Sequence, residues 1–387
     1  MATIKSVSAL IVDGDWIESK DQSPEGIRLI QTGNIGIGAY LDKPNRAKYI
    51  SEETFERLNC TELNIGDILV SRLPDPIGRA CRVPNNIGRA ITAVDCTIIR
   101  LNPDKCDAEY FVQYTQSELY QNRLSQFFAG STRTRISRKN LEQIEIPLPN
   151  IAEQRLISST LGKVDELIAL RKEQLAKLDQ LVKSRFIELF GDTILNPFGW
   201  DKNMLGSVCD VRDGTHDSPQ YYETGYPLVT SKNVTGGKID LTDCSLICKA
   251  DFDKINERSK VDIGDIIMPM IGTVGKPVVV DIEPNFAIKN VALIKFKNDS
   301  KVLNIYIRAL LQSDYFDDAV LSKVRGGTQK FISLGDIRKL EVLVPPIVIQ
   351  KRFATFVEQT DKSKSAIQQS LDKLELLKKS LMQEYFG

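Results

Sequence analysis

Histidine is almost absent, with His216 the only one in 387 residues. A single imidazole excludes metal sites built from several histidines and leaves any Ser-His-Asp or Cys-His triad only one base to draw on. Long apolar runs are missing too. No stretch approaches the ~20 residues of a membrane-spanning helix, and residues 1–10 lack a secretory leader's apolar core. A soluble, cytoplasmic chain without membrane contact is therefore expected. The seven cysteines contain no CxxC pair, and only Cys244 and Cys248 are close neighbours. Reduced, partly buried thiols are expected, and neither a zinc site nor a disulfide framework. Net charge is lacking as well: 51 basic and 51 acidic residues cancel, which excludes a uniformly basic nucleic-acid coat.

Cofactor loops are also wanting. Gly272-Thr-Val-Gly-Lys276 is too short for a phosphate-binding GxxxxGK[ST], and Pro277 occupies the hydroxyl position. Gly33-Asn-Ile-Gly-Ile-Gly38 orders its glycines wrongly for a dinucleotide fingerprint. Asn196-Pro197-Phe198 is one proline short of the (N/D)PP(Y/F) loop of amino-methyltransferases, and no glycine-rich S-adenosylmethionine loop precedes it. No catalytic or metal-binding residue is assigned. His216, within the turn-rich Asp213-Gly-Thr-His-Asp-Ser-Pro219, is expected to hydrogen-bond in a loop.

What the chain does contain is a duplication. Residues 130–191 align without a gap on residues 326–387, with 18 of 62 positions identical, where chance would give about four. Among the identities are Ser137/Ser333, Pro149/Pro345, Gln154/Gln350 and Phe190-Gly191/Phe386-Gly387. Upstream the match loosens but persists, as in Ile65-Gly-Asp-Ile68 against Ile263-Gly-Asp-Ile266. The plan is a variable domain (1–149), a similar tail (150–191), a second variable domain (192–345) and a second tail (346–387).

Each tail reads as one long helix. Prolines before residue 151 and at 345–346 stop the preceding runs, and Gly191 and Gly387 are natural stops. Apolar residues recur at alternating steps of three and four: Leu161, Val164, Ile168, then Leu175, Leu178, Val182 and Leu189, with Arg171 and Arg185 between them. That is the a/d seam of a coiled coil. The second tail repeats it with Val357, Ile367, Leu371, Leu374 and Leu381, but puts Lys364 and Lys378 on the seam. A helix of about 38 residues spans ~57 Å, and a lone apolar stripe needs a partner, for which the other copy is the nearest candidate. The variable parts read as irregular α+β. Strand-like runs lie at 67–71, 90–95, 277–281 and 291–296, with a helix near 108–121 and another near 303–322.

Zero net charge hides local structure. Residues 120–140 hold Arg123, Arg133, Arg135, Arg138 and Lys139 with no acid, interleaved with serine and threonine. The matching stretch of the second half holds Lys323, Arg325 and Lys330. Arginine among hydroxyls and glycine suits a phosphate-tracking loop. A further run, Arg72, Arg79, Arg82, Arg89 and Arg100, contains only Asp75 and Asp95 as acids, and arginine reads guanine in the major groove.

In this setting, Ile146-Pro-Leu-Pro-Asn-Ile-Ala-Glu-Gln154, followed by a heptad helix ending Glu188-Leu-Phe-Gly191, resembles the conserved region of Type I restriction-modification specificity subunits. Asn196-Pro-Phe-Gly-Trp200, Leu205-Gly206, Asp213-Gly-Thr-His216, Gly272-Thr-Val-Gly-Lys276 and Gly327-Thr-Gln-Lys-Phe-Ile-Ser333 look like that family's target recognition domain. The resemblance covers the whole chain, with departures where the second tail lacks the first tail's Glu153 and where the first domain opens atypically. It implies a protein without an active site. Two recognition domains would each read half of a bipartite, asymmetric double-stranded DNA site. The helices would pair as an antiparallel coiled coil with pseudo-twofold symmetry, setting the spacer and docking two methylation subunits. Restriction subunits would join through the methylase complex, and S-adenosylmethionine, ATP and Mg would be bound by these partners.

The same resemblance implies that Arg133, Arg135 and Lys139, with Arg72, Arg79, Arg82 and Arg89, hold the first half-site. Lys276, Arg325, Gln329 and Lys330, with His216, Lys232 and Asn233, would hold the second. Gln31, Asn34 and Gln329 have the amide that pairs with adenine. The competing classes are a stand-alone DNA methyltransferase or nuclease, for which no constellation is found, and a coiled-coil scaffold that binds only proteins.

Overall fold

A computed structural model describes residues 1–128, 134–271, 276–316 and 331–387. It divides into two compact units. The first comprises Met1–Lys172 with Gln369–Gly387, and the second Glu173–Gln368. Each unit therefore takes a portion of both tails, a division different from four consecutive segments.

In the first unit a four-stranded antiparallel sheet runs in the order Ser8–Asp13, Cys96–Leu101, Ile68–Ser71, Ala80–Arg82. A three-stranded sheet places Ile27–Ile30 between Lys48–Ile50 and Ala90–Thr92, the latter pair parallel. Ala2–Thr3 and Glu145–Ile146 make a short ribbon that joins the start of the domain to its end. The second unit repeats this plan. Its larger sheet runs Asp210–Asp213, Val291–Lys295, Ile266–Pro269, Val278–Val279, and its smaller one Ser245–Ile247, Tyr226–Val229, Ala287–Ile288, again with one parallel pair. Asp201–Met204 pairs with Glu341–Val344 as the ribbon. The class is α+β, and the duplication extends to strand order.

Local sequence explains these elements. Every residue of Ile68–Ser71 is buried, and a strand covered on both faces reads as an unbroken apolar run. The helix expected near 108–121 is two helices, Ala108–Tyr114 and Glu118–Ser125. The break follows from side chains competing with the ladder. Thr115 Oγ1 donates to the Val112 carbonyl, and the Ser117 hydroxyl caps the next helix by accepting from the Tyr120 N–H. In the second half the described helix is Asn304–Leu311.

The two long helices are Ile151–Phe190 and Ile347–Phe386, each of 40 residues. Asn150 and Glu153 open the first with reciprocal side-chain-to-backbone bonds of 3.0 and 3.2 Å. Gly191, at φ 76°, closes it. Both helices are rooted by the repeated glutamine. Gln154, 1 % exposed, accepts the Asp107 N–H at 2.9 Å and donates to the Lys105 and Pro149 carbonyls at 3.1 and 2.8 Å. Gln350, fully buried, accepts the Leu303 N–H at 2.8 Å and donates to the Lys301 and Pro345 carbonyls at 2.9 and 2.8 Å. One amide thus satisfies three backbone groups at each root.

Within each unit the helix segments run antiparallel. In the first, Asp165 meets Lys378 at 2.6 Å and Lys172 meets Glu375 at 2.9 Å. In the second, Asp179 meets Lys364 at 2.5 Å, and Arg185 lies 5.8 Å from the centre of the Phe356 ring. The heptad positions are the covered ones. Leu161, Val164, Val357, Thr360 and Leu371 are buried, and Ile168, Leu175, Leu178, Val182, Leu189, Ile367, Leu374 and Leu381 are half-buried. The seam lysines that interrupt the pattern are those paired with aspartates of the facing helix. Half-exposed pairs of this kind contribute ~1 kcal/mol or less, so they select register more than they add stability.

Replacing Gln350 with leucine leaves one N–H and two carbonyls without their partner. Each such loss costs about 1–3 kcal/mol, so Gln350→Leu is expected to destabilise the second unit by about 3 kcal/mol in denaturant unfolding. An unchanged midpoint would contradict this account of the root.

Candidate nucleic-acid interface

Two turns at equivalent places show how the fold presents side chains. Beyond Ser8–Asp13 the chain passes so close to the parallel strand pair that a Cβ on Gly14 would lie 2.4 Å from the Thr92 and Ala93 carbonyl oxygens. Beyond Asp210–Asp213, a Cβ on Gly214 would lie 2.4 Å from the Ile288 oxygen. Only glycine fits either position. The next residue is pinned in each unit: Asp15 N–H donates to Thr92 O at 2.8 Å, and Thr215 N–H to Ile288 O at 3.0 Å. The side chains that follow, Trp16 and His216, are 68 % exposed as a residue and 62 % exposed as a side chain respectively.

His216 is held at both ring nitrogens. Nδ1 lies 2.9 Å from Asn290 Oδ1, and Nε2 lies 2.9 Å from Asp213 Oδ2. With an acceptor at each nitrogen, both bonds form only when the ring is the doubly protonated cation. These hydrogen bonds, Asn290's first and then Asp213's, raise its pKa above the ordinary histidine value. Arg258 pairs with the other oxygen of the Asp213 carboxylate. A hydrogen-bonding loop role was expected for His216, and the two acceptors here also favour its protonated form.

The basic segments lie beside the loops that follow the central strands. Ile136 N–H donates to Arg72 O at 3.3 Å, and Ile332 N–H to Met270 O at 2.9 Å, next to a bridge between Ile271 and Phe331. Met270–Ile271 and Phe331–Ile332, distant in sequence, thus lie side by side. Arg135, Lys139, Lys232 and Lys276 are exposed, and among the described residues none has an ion-pair partner. Arg133, Arg325, Gln329 and Lys330 lie outside the described residues.

Other expected contact residues serve the fold instead. Arg79 donates through Nε to Ile35 O, through Nη1 to Leu73, Pro74 and Pro76 O, and through Nη2 to Thr32 O, at 2.7–3.1 Å. Arg72 donates to Val94 O at 2.5 Å, and its side chain is only 11 % exposed. Both guanidinium groups brace loops. Arg82 pairs with Glu109 at 2.6 Å, and Arg89 with Glu52 and Glu62 at 2.5 and 2.9 Å, which neutralises them in place. Asn34 accepts from Gln31 N–H and donates to Leu41 O, both at 3.0 Å. Asn233 accepts from Thr230 N–H at 3.0 Å and donates to Asp243 O at 3.3 Å. These buried amides hold equivalent 3-10 turns and are not free to pair with adenine. Gln31 is half-buried at its turn. Trp16 went unnoticed in the sequence, although the shared Asp-Gly dipeptide before it and before His216 was visible.

Reactive chemistry finds little support. Burial pushes the Cys81, Cys106 and Cys209 thiols up to about 12 and Cys96 to about 11, so they stay protonated and inert. Among the described residues, no three His, Cys, Asp or Glu side chains cluster as a metal requires, and no helix is long and apolar enough to cross a membrane.

Residues 9–180 and 197–376 each match the family model described as "Type I restriction modification DNA specificity domain". The chain belongs to this family. It is 24 % identical over 317 residues to the Type I restriction enzyme EcoKI specificity subunit of Escherichia coli (strain K12), covering 75 % of this chain and 67 % of that one. To the MjaIX specificity subunit of Methanocaldococcus jannaschii it is 27 % identical over 282 residues, covering 65 % of this chain and 62 % of the relative. The fold is that of a solved Type I restriction-modification S subunit from M. genitalium, with TM-score 0.59 and 16 % identity over 100 % of this chain and 95 % of that one. This specificity subunit accordingly carries two DNA specificity domains and no catalytic activity of its own.

Because His216 is the only histidine, its imidazole gives one set of NMR signals to titrate. Its pKa is expected above ~6.5, and Asn290→Gly should lower it. A folded-state pKa raised in this way supplies stability that is complete at low pH and disappears as pH rises through the folded value. A titration at or below the ordinary value would show that the two contacts do not hold the cation.

Proposed function

We propose that each unit reads one half of a bipartite, asymmetric DNA site, and that the long helices set the spacer between the halves and dock two methylation subunits. Restriction subunits join through that methylase complex, and S-adenosylmethionine, ATP and Mg are bound by the partners, in the cytoplasm. One observation carries this reading. The strand order, the glutamine roots and the glycine-pinned turns are the same in the two units, while the side chains presented from those turns differ. A common scaffold with different presented groups suits a reader of two unlike half-sites.

The physical arrangement supports a division of labour. Exposed cations without ion-pair partners among the described residues, such as Arg135, Lys139 and Lys276, suit phosphate contacts, which position a protein on a duplex without specifying sequence. Side chains on the pinned turns suit base contacts, because a rigid support holds them within the tolerance that hydrogen-bond readout requires. A chain of zero net charge gains part of its DNA affinity from the subunits assembled on it.

Selection from randomised duplexes by the full chain assembled with its methylation subunit should yield two short motifs at a fixed spacing. Enrichment of a single contiguous motif would overturn the proposal. In the same complex, Arg135→Ala should weaken binding to all duplexes and reduce the slope of log affinity against log salt by about one.

A further inference from the structure

Trp16 is the feature that the proposed function has not absorbed. A single exposed aromatic is ordinary on a protein surface, so exposure alone says nothing. Three further observations single this one out. First, its backbone is fixed by the same device as that of His216. The glycine two residues before it excludes a Cβ, the residue between is bonded to the neighbouring strand, and each turn makes an isolated parallel bridge, Asp15 with Ala93 and Thr215 with Lys289. Second, the root of the turn is tied to the basic segment. The Asp13 carboxylate accepts the Thr97 hydroxyl at 3.1 Å and lies 3.7 Å from Arg72 and 3.9 Å from Arg138. Arg138 sits between the exposed Arg135 and Lys139. Third, the indole is committed only at its edge, where Nε1 donates to Glu18 Oε1 at 3.4 Å.

We infer that positions 16 and 216 are the same specificity-determining position of the two units, with Trp16 packing against the bases of one half-site and His216 contacting the other. The inference rests on the reading that each unit binds one half-site. An indole has no acceptor and one edge donor, so what it offers DNA is its apolar face, which suits a thymine methyl group or an unstacked base. Both imidazole nitrogens are already bonded, to Asn290 and Asp213, so contact with a base-edge acceptor exchanges the Asn290 bond for one to the base. The two half-sites are thereby met at one point by opposite chemistries.

The test uses the full chain assembled with its methylation subunit, and the duplex motif that the wild-type complex selects. Trp16→Ala should weaken binding to that duplex about tenfold and relax base preference in one half-site only. His216→Ala should relax the other half only. In a Trp200→Phe background, Trp16 is the sole tryptophan of this chain, and emission of the complex should be quenched by the selected duplex and not by a scrambled one, a difference lost when Trp16→Phe is added. Since Trp16 is exposed, the thermal midpoint of Trp16→Ala should match the wild type. Unchanged affinity and motif in both alanine variants, together with unquenched emission, would overturn the inference while leaving the two-half-site reading intact. If the wild-type complex selects no bipartite motif, the underlying reading fails first.

Discussion

Phe386 against Tyr110 and Tyr114, at ring-centre distances of 5.3 and 5.7 Å, closes the core of the first unit. The counterpart in the second is Phe190 against Tyr306 at 4.7 Å, with Phe186 and Phe353 packed beside it. Phe190 and Phe386 are each the last residue of a 40-residue helix. The globular part of a unit is thus completed by the far end of the helix that begins in the other stretch of sequence, and held at its near end by a buried glutamine. Burying such a ring contributes ~2–3 kcal/mol. The two tyrosine hydroxyls, each donating to a carbonyl of the segment before a long helix (Tyr110 to Pro147 O, Tyr306 to Leu343 O), orient the contact at 2.8 and 2.9 Å.

This architecture was legible in the sequence wherever the signal was periodic or repeated. The constant offset of the tails and the three-four spacing of Leu161 to Leu189 depend only on backbone geometry, and the covered positions match them. The break at Thr115–Ser117 was harder to see. Its cause is two hydroxyls bonding locally, and such residues occur in helices as well as between them. The candidate interface was the least legible part. Arg72 and Arg79 looked like free cations because sequence records charge but not what the guanidinium meets after folding. Asn34 and Asn233 looked like readers of adenine for the same reason. Trp16 shares no identity with His216, so the comparison that reveals it is structural, resting on glycines that no side chain could replace.

The polar groups of the two units fall into three uses. Some hold backbone: Gln154, Gln350, Asn34, Asn233 and Arg79 satisfy carbonyls and N–H groups that burial would otherwise leave bare. Some set register, as Lys364 and Lys378 do on the helix seam. Others, among them Arg135, Lys139 and Lys276, are exposed without ion-pair partners among the described residues and lie on or beside the loops that differ between the halves. Neutral overall charge is therefore not an absence of electrostatic design. Part of the charge is answered within the chain, and part is left exposed on it.

The discontinuous first unit also orders events during synthesis. The second unit is one unbroken stretch, Glu173–Gln368, whereas the first needs Gln369–Gly387 to complete it. On a ribosome the half made first must wait, with Tyr110 and Tyr114 uncovered, while the half made later can close ahead of it. A frameshift or proteolytic cut within Gln369–Gly387 would consequently damage the fold of Met1–Lys172, where no altered codon lies.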